Sequence, residues 1–230
     1  MILRQLFDYS SYTYTYLIGD GGKALLIDPV LENIDQYLRL LQQLDLTLES
    51  TLETHVHADH VTAAGKLREM TGCTVIQGQK SAAKGVDRTV HDGDVVEVGD
   101  LQLKVLYTPG HTDDSYCFLL QQGGQNYLFT GDTLFIRGTG RTDFQHGDSR
   151  AHYDSIFNKL LTLPEDTLVY PGHDYNGMTV STIGEEKRFN PRLQVADAQA
   201  YADIMDNLNL PNPKLIDIAV PANIALGLSE

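Results

Sequence analysis

The chain has 230 residues, of which 42% are hydrophobic, and a formal net charge of −14 at pH 7. This length and composition are typical of a globular protein with a sizeable core, organised as one large domain or two small ones. Because 31 acidic residues face only 17 basic ones, the surface repels nucleic acid and anionic membranes, and we expect neither as a partner.

The cysteines and the N-terminus indicate a cellular compartment. Only Cys73 and Cys117 are present, far apart and in no Cys-x-x-Cys arrangement. This excludes a disulfide framework and is typical of a protein from a reducing compartment. A strand pattern begins close to the N-terminus, and no secretory, transit or long apolar segment is visible. We therefore expect a cytoplasmic protein.

The hydrophobic pattern alternates strands with helices along the chain. Predicted strands cover residues 12–18, 23–28, 46–53, 75–76, 95–98, 101–107, 116–121, 126–129 and 167–170. Predicted helices cover residues 33–44, 61–70, 151–161 and 196–208, and a Pro-rich extended end follows. No repeat or linker divides the chain, so residues 1–230 are predicted to form one α/β domain. We expect a mainly antiparallel, mixed sheet covered by helices.

The densest cluster of possible metal ligands is the segment 54–60, which reads Thr-His-Val-His-Ala-Asp-His. Imidazole and carboxylate groups together are the ligands of first-row divalent metals. Alternation along an extended backbone puts His55 and His57 on the same side, so both can reach one ion. A turn after them lets Asp59 and His60 approach from another direction. We interpret this segment as part of a metal site.

Three further strands end in a small-residue turn that a possible ligand follows. The turns and ligands are Pro109-Gly110 before His111, Gly131 before Asp132, and Pro171-Gly172 before His173. Glycine lets the backbone turn sharply and approach an ion closely. Sites in α/β proteins gather at strand ends, so the four strand ends predict one shared site at one sheet edge.

Three histidines lie outside these turns. His91 lies in a His-Asp-Gly-Asp turn and His152 begins a predicted helix, so both are expected to be solvated surface groups. His146 has unusual neighbours, Gln145 and Gly147, and its role stays open.

These motifs, in this order, resemble the metallo-β-lactamase superfamily. Its signature is H-x-H-x-D-H followed by a His, an Asp and a last His, each after a strand. The resemblance covers most of the chain and implies an αββα sandwich, with two packed mixed β-sheets flanked by helices and a metal at one edge. It does not identify the reaction, because members hydrolyse lactams, thioesters and phosphodiesters or perform oxidations.

Finer motifs are similar to one branch, the persulfide dioxygenases. Residues 136–145 contain the G-R-T-D-F-Q signature of that family, and further similarity lies in residues 171–175, 179–182, 190–192, 207–211 and 219–223. Members oxidise glutathione persulfide with dioxygen to sulfite and glutathione, using one non-haem iron. The glyoxalase II enzymes share the ligand cluster but carry a longer helical region after the last His, whereas only residues 174–230 follow here. His146 and residues 63–65 depart from the family pattern, at positions that are not ligands.

Two hypotheses from different reaction classes use the same ligands. In the dioxygenase hypothesis, the resemblance implies that His55, His111 and Asp132 hold one Fe(2+) per chain and leave three coordination positions open. The other members of the cluster would orient ligands and waters: His57, Asp59, His60 and His173. In the glyoxalase II-like hypothesis, all seven side chains hold two metals that activate a hydroxide for thioester hydrolysis. The donor set alone suits zinc, iron and manganese, and the resemblance favours iron and dioxygenation.

Two side chains are candidates for substrate contact. Tyr175 follows His173 closely enough for its hydroxyl to reach substrate or bound oxygen. Arg141 can anchor a substrate carboxylate, or it can hold the site loop through Asp143. The expected partners are glutathione persulfide and O2, and a homodimer is left open.

Overall fold

Two six-stranded β-sheets form the centre of the computed structural model, which describes residues 1–212 and 215–228. The first sheet runs in chain order through β1 (Ile2–Phe7), β2 (Tyr14–Asp20), β3 (Lys23–Ile27), β4 (Thr47–Leu52), β5 (Thr74–Gly78) and β6 (Arg88–Val90). The second sheet has the order β12-β11-β10-β9-β8-β7, with β7 (Val95–Val98), β8 (Leu101–Tyr107), β9 (Tyr116–Gln122), β10 (Gln125–Gly131), β11 (Leu168–Pro171) and β12 (Ser181–Thr182).

The main hydrophobic core lies between the two sheets. In β8, Leu101, Leu103 and Val105 are buried while the residues between them are exposed, as expected for a strand with one face on a core. These side chains belong to one cluster with residues of the first sheet, such as Ile18 and Leu25. Burial of apolar surface between the sheets therefore fixes their face-to-face arrangement.

Helices cover both outer faces. On the first sheet, α1 (Ile34–Gln43) and α2 (Ala64–Thr71) contribute Tyr37 and Leu67 to a buried cluster. On the second sheet, a separate cluster joins sheet residues to α3 (Ser149–Tyr153), α4 (Ile183–Phe189) and α5 (Ala198–Asp206). It also includes residues of the π-helical segment Asp154–Lys159 and the 3-10 turn Leu160–Thr162, which follow α3. The predicted αββα sandwich with two mixed sheets is confirmed.

Strand direction brings three strand ends of the second sheet to the same edge. Both β8 and β10 pair antiparallel with β9, so they run in the same direction as each other. β11 pairs parallel with β10. The segments that follow β8, β10 and β11 therefore leave the sheet at one edge, where the segment after β4 of the first sheet also lies.

The C-terminal part of the chain differs from its predicted structure. Residues 183–189 form α4, which the sequence did not predict, and the predicted extended end contains α6 (Ile216–Ile224) with Pro221 inside it. The amides of Gly65 and Lys84 donate hydrogen bonds to backbone carbonyls that lie in or just after α6. Proline inside a helix destabilises it, but short helices gain most of their stability from tertiary contacts. These contacts therefore explain why residues 216–224 are helical despite Pro221.

Candidate metal centre

The ends of β4, β8, β10 and β11 bring the predicted ligands together. The ring centroids of His55 and His111 lie 5.0 Å apart, and His111 Nε2 lies 3.5 Å from Asp132 Oδ2. His173 Nδ1 lies 2.7 Å from Asp132 Oδ1. The expected convergence of four strand ends at one edge is therefore confirmed.

Glycines at two of these strand ends permit the close approach. At Gly131, where φ is +47°, a Cβ atom would lie 2.6 Å from Thr54 Oγ1. At Gly172 a Cβ atom would lie 2.7 Å from Asp132 Oδ1. Real Cβ atoms do not approach other atoms so closely, so a side chain at Gly131 would push the ends of the two sheets apart, and a side chain at Gly172 would displace Asp132.

His55, His111 and Asp132 form one group that is able to hold a metal. One ligand atom from each residue lies within 4.8 Å of the others. All three side chains are buried or nearly so. Two imidazoles and one carboxylate make the donor set of the two-His-one-carboxylate triad, which leaves coordination positions free for substrates.

Hydrogen bonds leave the Nε2 atoms of both histidines free to bind a metal. Thr54 Oγ1 donates its single proton to Asp28 Oδ2, so it accepts the hydrogen bond from His55 Nδ1, at 3.0 Å. His111 Nδ1 donates to the backbone carbonyl of Arg141 at 2.7 Å, because a carbonyl oxygen only accepts. The proton therefore lies on Nδ1 in both rings, and each Nε2 keeps its lone pair.

His173 joins two carboxylates beside this group. Its Nδ1 lies 2.7 Å from Asp132 Oδ1 and its Nε2 lies 2.8 Å from Asp59 Oδ2. Burial alone would lower the pKa of His173, but the two carboxylates raise it well above its usual value. Burial would raise the pKa of Asp132, and the charge and hydrogen bond of His173 lower it below its usual range. A cationic His173 thus keeps Asp132 ionised, the form that binds metals.

Thr13 connects the remaining members of the cluster. Its side chain is fully buried, and Oγ1 donates to Asp59 Oδ2 at 3.1 Å. The same oxygen lies 3.3 Å from His60 Nδ1 and 3.1 Å from His173 Nε2. The hydroxyl of Thr13 therefore fixes the relative positions of these three side chains.

His57 faces two buried carboxylates. Its Nε2 lies 3.1 Å from Asp28 Oδ1 and 3.3 Å from Glu53 Oε2. Burial would lower the pKa of His57, and the charges of the two carboxylates raise it well above its usual value. The ring centroids of His55 and His57 lie only 4.2 Å apart. The possible metal-ligand groups that contain His57 are nevertheless formed with Asp28 and Glu53, or with Asp59 and His60, and not with His55.

Unpartnered polar atoms fit an ion or a polar ligand in this centre. His57 Nδ1 and His60 Nε2 are buried and have no hydrogen-bond partner among residues 1–212 and 215–228. Burial of a polar atom without a partner costs about 1–3 kcal/mol, so such atoms normally face water, an ion or a substrate. Together with the free Nε2 atoms of His55 and His111, they make the residues present suitable for a divalent metal and its ligands.

Arg141 lies on the loop that follows Asp132 and is tied to neighbouring protein groups. Its Nε and Nη2 atoms donate to the two carboxylate oxygens of Asp143 at 2.6 and 2.7 Å, and its Nη1 donates to the carbonyl of Pro211 at 2.7 Å. The guanidinium also lies over the ring of Phe144, 4.5 Å from its centroid. This arrangement fits the loop-holding alternative, and Asp143 is half exposed rather than buried.

Tyr175 lies at the exposed side of the centre. Its ring stacks near the ring of His173, with centroids 6.0 Å apart and planes 9° apart, and the centroid of the Tyr12 ring lies 5.4 Å from that of Tyr175. The side chain is 62% exposed. The predicted position of Tyr175 next to the cluster is thus observed, in an exposed place that a substrate can reach.

The other histidines behave in different ways. His91 and His146 are exposed, as was expected for His91. The expectation that His152 lies at the surface is wrong, because its side chain is completely buried. Its Nε2 donates to the Thr133 carbonyl at 2.9 Å and its Nδ1 accepts from the Tyr201 hydroxyl at 3.0 Å, so both ring nitrogens are satisfied inside the protein.

Comparison with known proteins places the chain in a family. Residues 10–173 match the model of the metallo-beta-lactamase superfamily. The mitochondrial persulfide dioxygenase ETHE1 of Mus musculus is 46% identical over 231 residues, which cover 99% of this chain and 89% of the mouse protein. The chain belongs to the persulfide dioxygenase family. It is accordingly an enzyme of the dioxygenase class.

Solved structures and a more distant relative agree with this family. The crystal structure of ETHE1 from Myxococcus xanthus is 56% identical, covers 99% of this chain and 100% of the other, and superposes with a TM-score of 0.95. A Schizosaccharomyces pombe protein named as a probable hydroxyacylglutathione hydrolase is 30% identical over 241 residues, 90% of each chain. Identity to the persulfide dioxygenases is therefore clearly higher.

Several residues that build the centre of this persulfide dioxygenase were missed by sequence reasoning. They are Thr13, Asp28, Glu53, Thr54 and Asn223, all buried. Thr54 opens the His-rich segment but was not recognised as a partner of His55, and Thr13, Asp28 and Asn223 reach the centre from distant segments. A buried polar residue directly after a strand, such as Asp28, is the one signal that could have been used.

Among helices within residues 1–212 and 215–228, none combines the length and the apolar character that crossing a membrane requires.

Proposed function

We propose that this chain oxidises glutathione persulfide with dioxygen to sulfite and glutathione. The observation that carries the proposal is the group of His55, His111 and Asp132, whose ligand atoms lie within 4.8 Å of one another in a chain 46% identical to a persulfide dioxygenase. One persulfide, one O2 and one water balance with one sulfite and one glutathione. The reaction therefore needs no reductant and no nucleophile from the protein.

The metal is proposed to be one Fe(2+) per chain, held by His55, His111 and Asp132. Iron held by these three residues would supply redox chemistry between dioxygen and the persulfide sulfur, because two imidazoles and one carboxylate would leave room for both. The protonated Nδ1 atoms of the two histidines, which are bonded to Thr54 Oγ1 and the Arg141 carbonyl, keep the rings in the orientation that ligation requires.

The residues around the three ligands are proposed to orient the ligands and the substrate and to compensate the charges of the carboxylates. His173 holds Asp132 ionised and connects it to Asp59. His57 and His60 each carry a buried nitrogen without a partner among the described residues, and these nitrogens suit hydrogen bonds to water or to the terminal sulfur of the substrate. Asp59 supports His60 and His173, so its role is positional.

Substrate contacts are proposed at the exposed edge. The Tyr175 hydroxyl is proposed to bond substrate or oxygen, and its exposed ring and the neighbouring ring of Tyr12 are proposed to contact the glutathione chain. Arg141 keeps two N–H groups beyond its bonds to Asp143 and Pro211, so it can still meet a carboxylate of glutathione.

A second candidate is a glyoxalase II-like hydrolase of hydroxyacylglutathione thioesters. The observation that favours it is the second group of possible ligands, His57, Asp59 and His60, directly beside the first. Two metals sharing Asp132 would then activate a hydroxide. The lower identity to the hydrolase relative makes this candidate the weaker one.

An oxygen-electrode assay separates the two functions. With glutathione persulfide, the iron-loaded protein is expected to consume O2 and to release one sulfite per O2, and a chelator is expected to abolish both. The matched substrate is S-lactoylglutathione, which is expected to stay intact. Rapid hydrolysis of S-lactoylglutathione without oxygen uptake would assign the chain to the hydrolases.

The cytoplasm is proposed as the compartment. Cys73 and Cys117 are both free and buried, which is compatible with reducing conditions. The mammalian relatives carry the word mitochondrial in their names, so fractionation of cells that express the full-length protein is the test. Recovery in a mitochondrial or periplasmic fraction would contradict the proposal.

A further inference from the structure

The side chain of Asn223, in the C-terminal helix α6, reaches the segment that carries the first histidine cluster. Its Nδ2 donates to the backbone carbonyls of His57 and His60 at 2.8 and 2.9 Å. Its Oδ1 accepts from the backbone amide of Thr62 at 2.8 Å. One side chain, 2% exposed, thus spans the whole turn from His57 to Thr62.

These bonds satisfy backbone groups that no sheet or helix would satisfy. Residues 57–60 have no regular secondary structure, so their carbonyls lack the partners that a ladder or a helix supplies. Buried backbone groups without partners are costly, and the conformation that supplies the partners is favoured. Two donors and one acceptor in this geometry are available from an amide, whereas a carboxylate has only acceptors.

The position of Asn223 is itself fixed by the rest of the chain. Helix α6 is held by hydrogen bonds from the Gly65 amide to the Leu226 carbonyl, at 2.9 Å, and from the Lys84 amide to the Ile224 carbonyl, at 2.7 Å. At Gly227 a Cβ atom would lie 2.0 Å from the Thr62 carbonyl oxygen, so the backbone after the helix lies directly against the same turn. Asn223 is therefore a rigid support and not a flexible contact.

We propose that Asn223 is a positioning residue that sets the geometry of the metal centre by holding the turn of residues 57–60. The turn carries Asp59 and His60, and Asp59 contacts His173, which in turn contacts Asp132. A change at Asn223 is therefore transmitted to the metal-binding group without any direct contact. The inference rests on the proposed metal centre, but not on the identity of the substrate.

The test uses the full-length protein, with cobalt(II) as the metal probe. Asn223→Asp keeps the shape of the side chain and removes both donors. We expect its affinity for cobalt(II) to fall by roughly 10–100-fold, the range found when groups that support metal ligands are changed. The visible absorption bands of bound cobalt are also expected to shift, because they report ligand geometry.

Two variants separate positioning from general stability. Ala219→Gly weakens the same helix at a buried residue but leaves the Asn223 bonds in place, so it is expected to lower the melting temperature without changing the cobalt spectrum. If Asn223→Asp does not fold, Asn223→Ser, which keeps one donor, replaces it. An unchanged affinity and spectrum in a folded Asn223 variant would overturn the inference and leave the proposed function intact. If the Asn223 variant changes the cobalt site but the unchanged, iron-loaded protein does not consume oxygen, the proposed function is overturned and the inference about Asn223 is kept.

Discussion

At the scale of single residues, the metal centre depends on which nitrogen of each histidine carries the proton. Thr54 and the Arg141 carbonyl each take the Nδ1 proton of a neighbouring histidine and so direct its Nε2 lone pair toward the ligand position. His57 and His60, by contrast, keep buried nitrogens that bond no described residue. The histidines of the centre therefore divide into two that would bind the metal directly, His55 and His111, and others that would orient the ligands or the substrate.

This division predicts how substitutions affect metal content. His111→Ala removes one of three proposed ligands and is expected to empty most of the site. His60→Ala removes a supporting group and is expected to keep the metal at an affinity lowered by roughly 10–100-fold. Elemental analysis of both purified variants, with the exposed His91→Ala as control, measures this difference. Equal loss of metal in the His60 and His111 variants would contradict a three-ligand centre.

Arg141 is expected to act mainly on the loop. In Arg141→Lys, the bidentate contact with Asp143 is lost, because Lys has no planar fork. We expect a loss of about 1 kcal/mol of stability, which lowers the melting temperature by roughly 2–4 °C, with an unchanged Michaelis constant for the persulfide. Arg150→Lys, whose guanidinium bonds an exposed glutamine, is the control. A raised Michaelis constant at unchanged melting temperature would instead assign Arg141 to the substrate.

Side chains that follow a local pattern can be predicted from the sequence, whereas side chains that reach the centre from distant segments cannot. His55, His111, Asp132 and His173 all come after recognisable strand ends. Thr13 and Asn223 reach the same centre across 46 and 166 residues of sequence separation, respectively, so no local spacing reveals them. His152 was misplaced because a histidine near a helix start is usually exposed, while here Thr133 and Tyr201 satisfy it in the core.

At the scale of elements, the turns after the strands determine whether the ligands meet. Gly140, on the loop after β10, leaves no room for a side chain, since a Cβ atom would lie 2.2 Å from the Asp132 carbonyl and 2.8 Å from His111 Nδ1. Gly138, two residues earlier, has its nearest neighbour at 3.8 Å. Substitution of Gly140 by alanine can therefore be compared with the same substitution at Gly138, where a Cβ atom has room.

Gly140→Ala is expected to displace both His111 and the backbone of Asp132. Overpacking of this kind costs about 1–3 kcal/mol, and here it acts on two proposed ligands at once. We expect a lower melting temperature and a clear loss of bound metal, whereas Gly138→Ala is expected to keep both. Normal metal content in folded Gly140→Ala would show that the loop can move without disturbing the ligands.

Strand positions followed well from hydrophobic pattern, and helix positions near the C-terminus did not. The strand predicted at residues 95–98 coincides with β7, and that at residues 101–107 with β8. The first strand, Ile2–Phe7, was noticed only as a strand-like start, and Arg88–Val90 was not predicted. Helix α6 was predicted to be extended because the end of the chain is rich in proline, and its long-range contacts with the turn of residues 57–62 cannot be read from local preference.

At the scale of the whole molecule, one buried histidine makes stability depend on pH. Burial lowers the pKa of His152 to about 3, and nearby His111 acts in the same direction, although the hydrogen bond to the Thr133 carbonyl raises it. The unfolded chain binds a proton at a pKa near 6.5. The contribution of neutral His152 is therefore complete above about pH 6.5 and is lost as the pH falls from there toward 3.

Between pH 7 and pH 5, His152 is expected to reduce the free energy of unfolding by about 2 kcal/mol, at roughly 1.4 kcal/mol per pKa unit. Urea unfolding of the metal-free protein at both pH values measures the total change. His152→Gln is expected to be less stable at pH 7 but to show a smaller decrease on acidification, and the exposed His91→Gln is the control. The same decrease in the His152 variant as in the unchanged protein would contradict this assignment.

We propose that a single iron, held by His55, His111 and Asp132, supports persulfide oxidation. Metal-free protein is titrated anaerobically with ferrous iron, and oxygen uptake with glutathione persulfide is then recorded at each ratio of iron to chain. We expect uptake to rise linearly and to reach its maximum at one iron per chain, with one sulfite released per O2. A maximum at two metals per chain, or thioester hydrolysis without oxygen uptake, would contradict the claim.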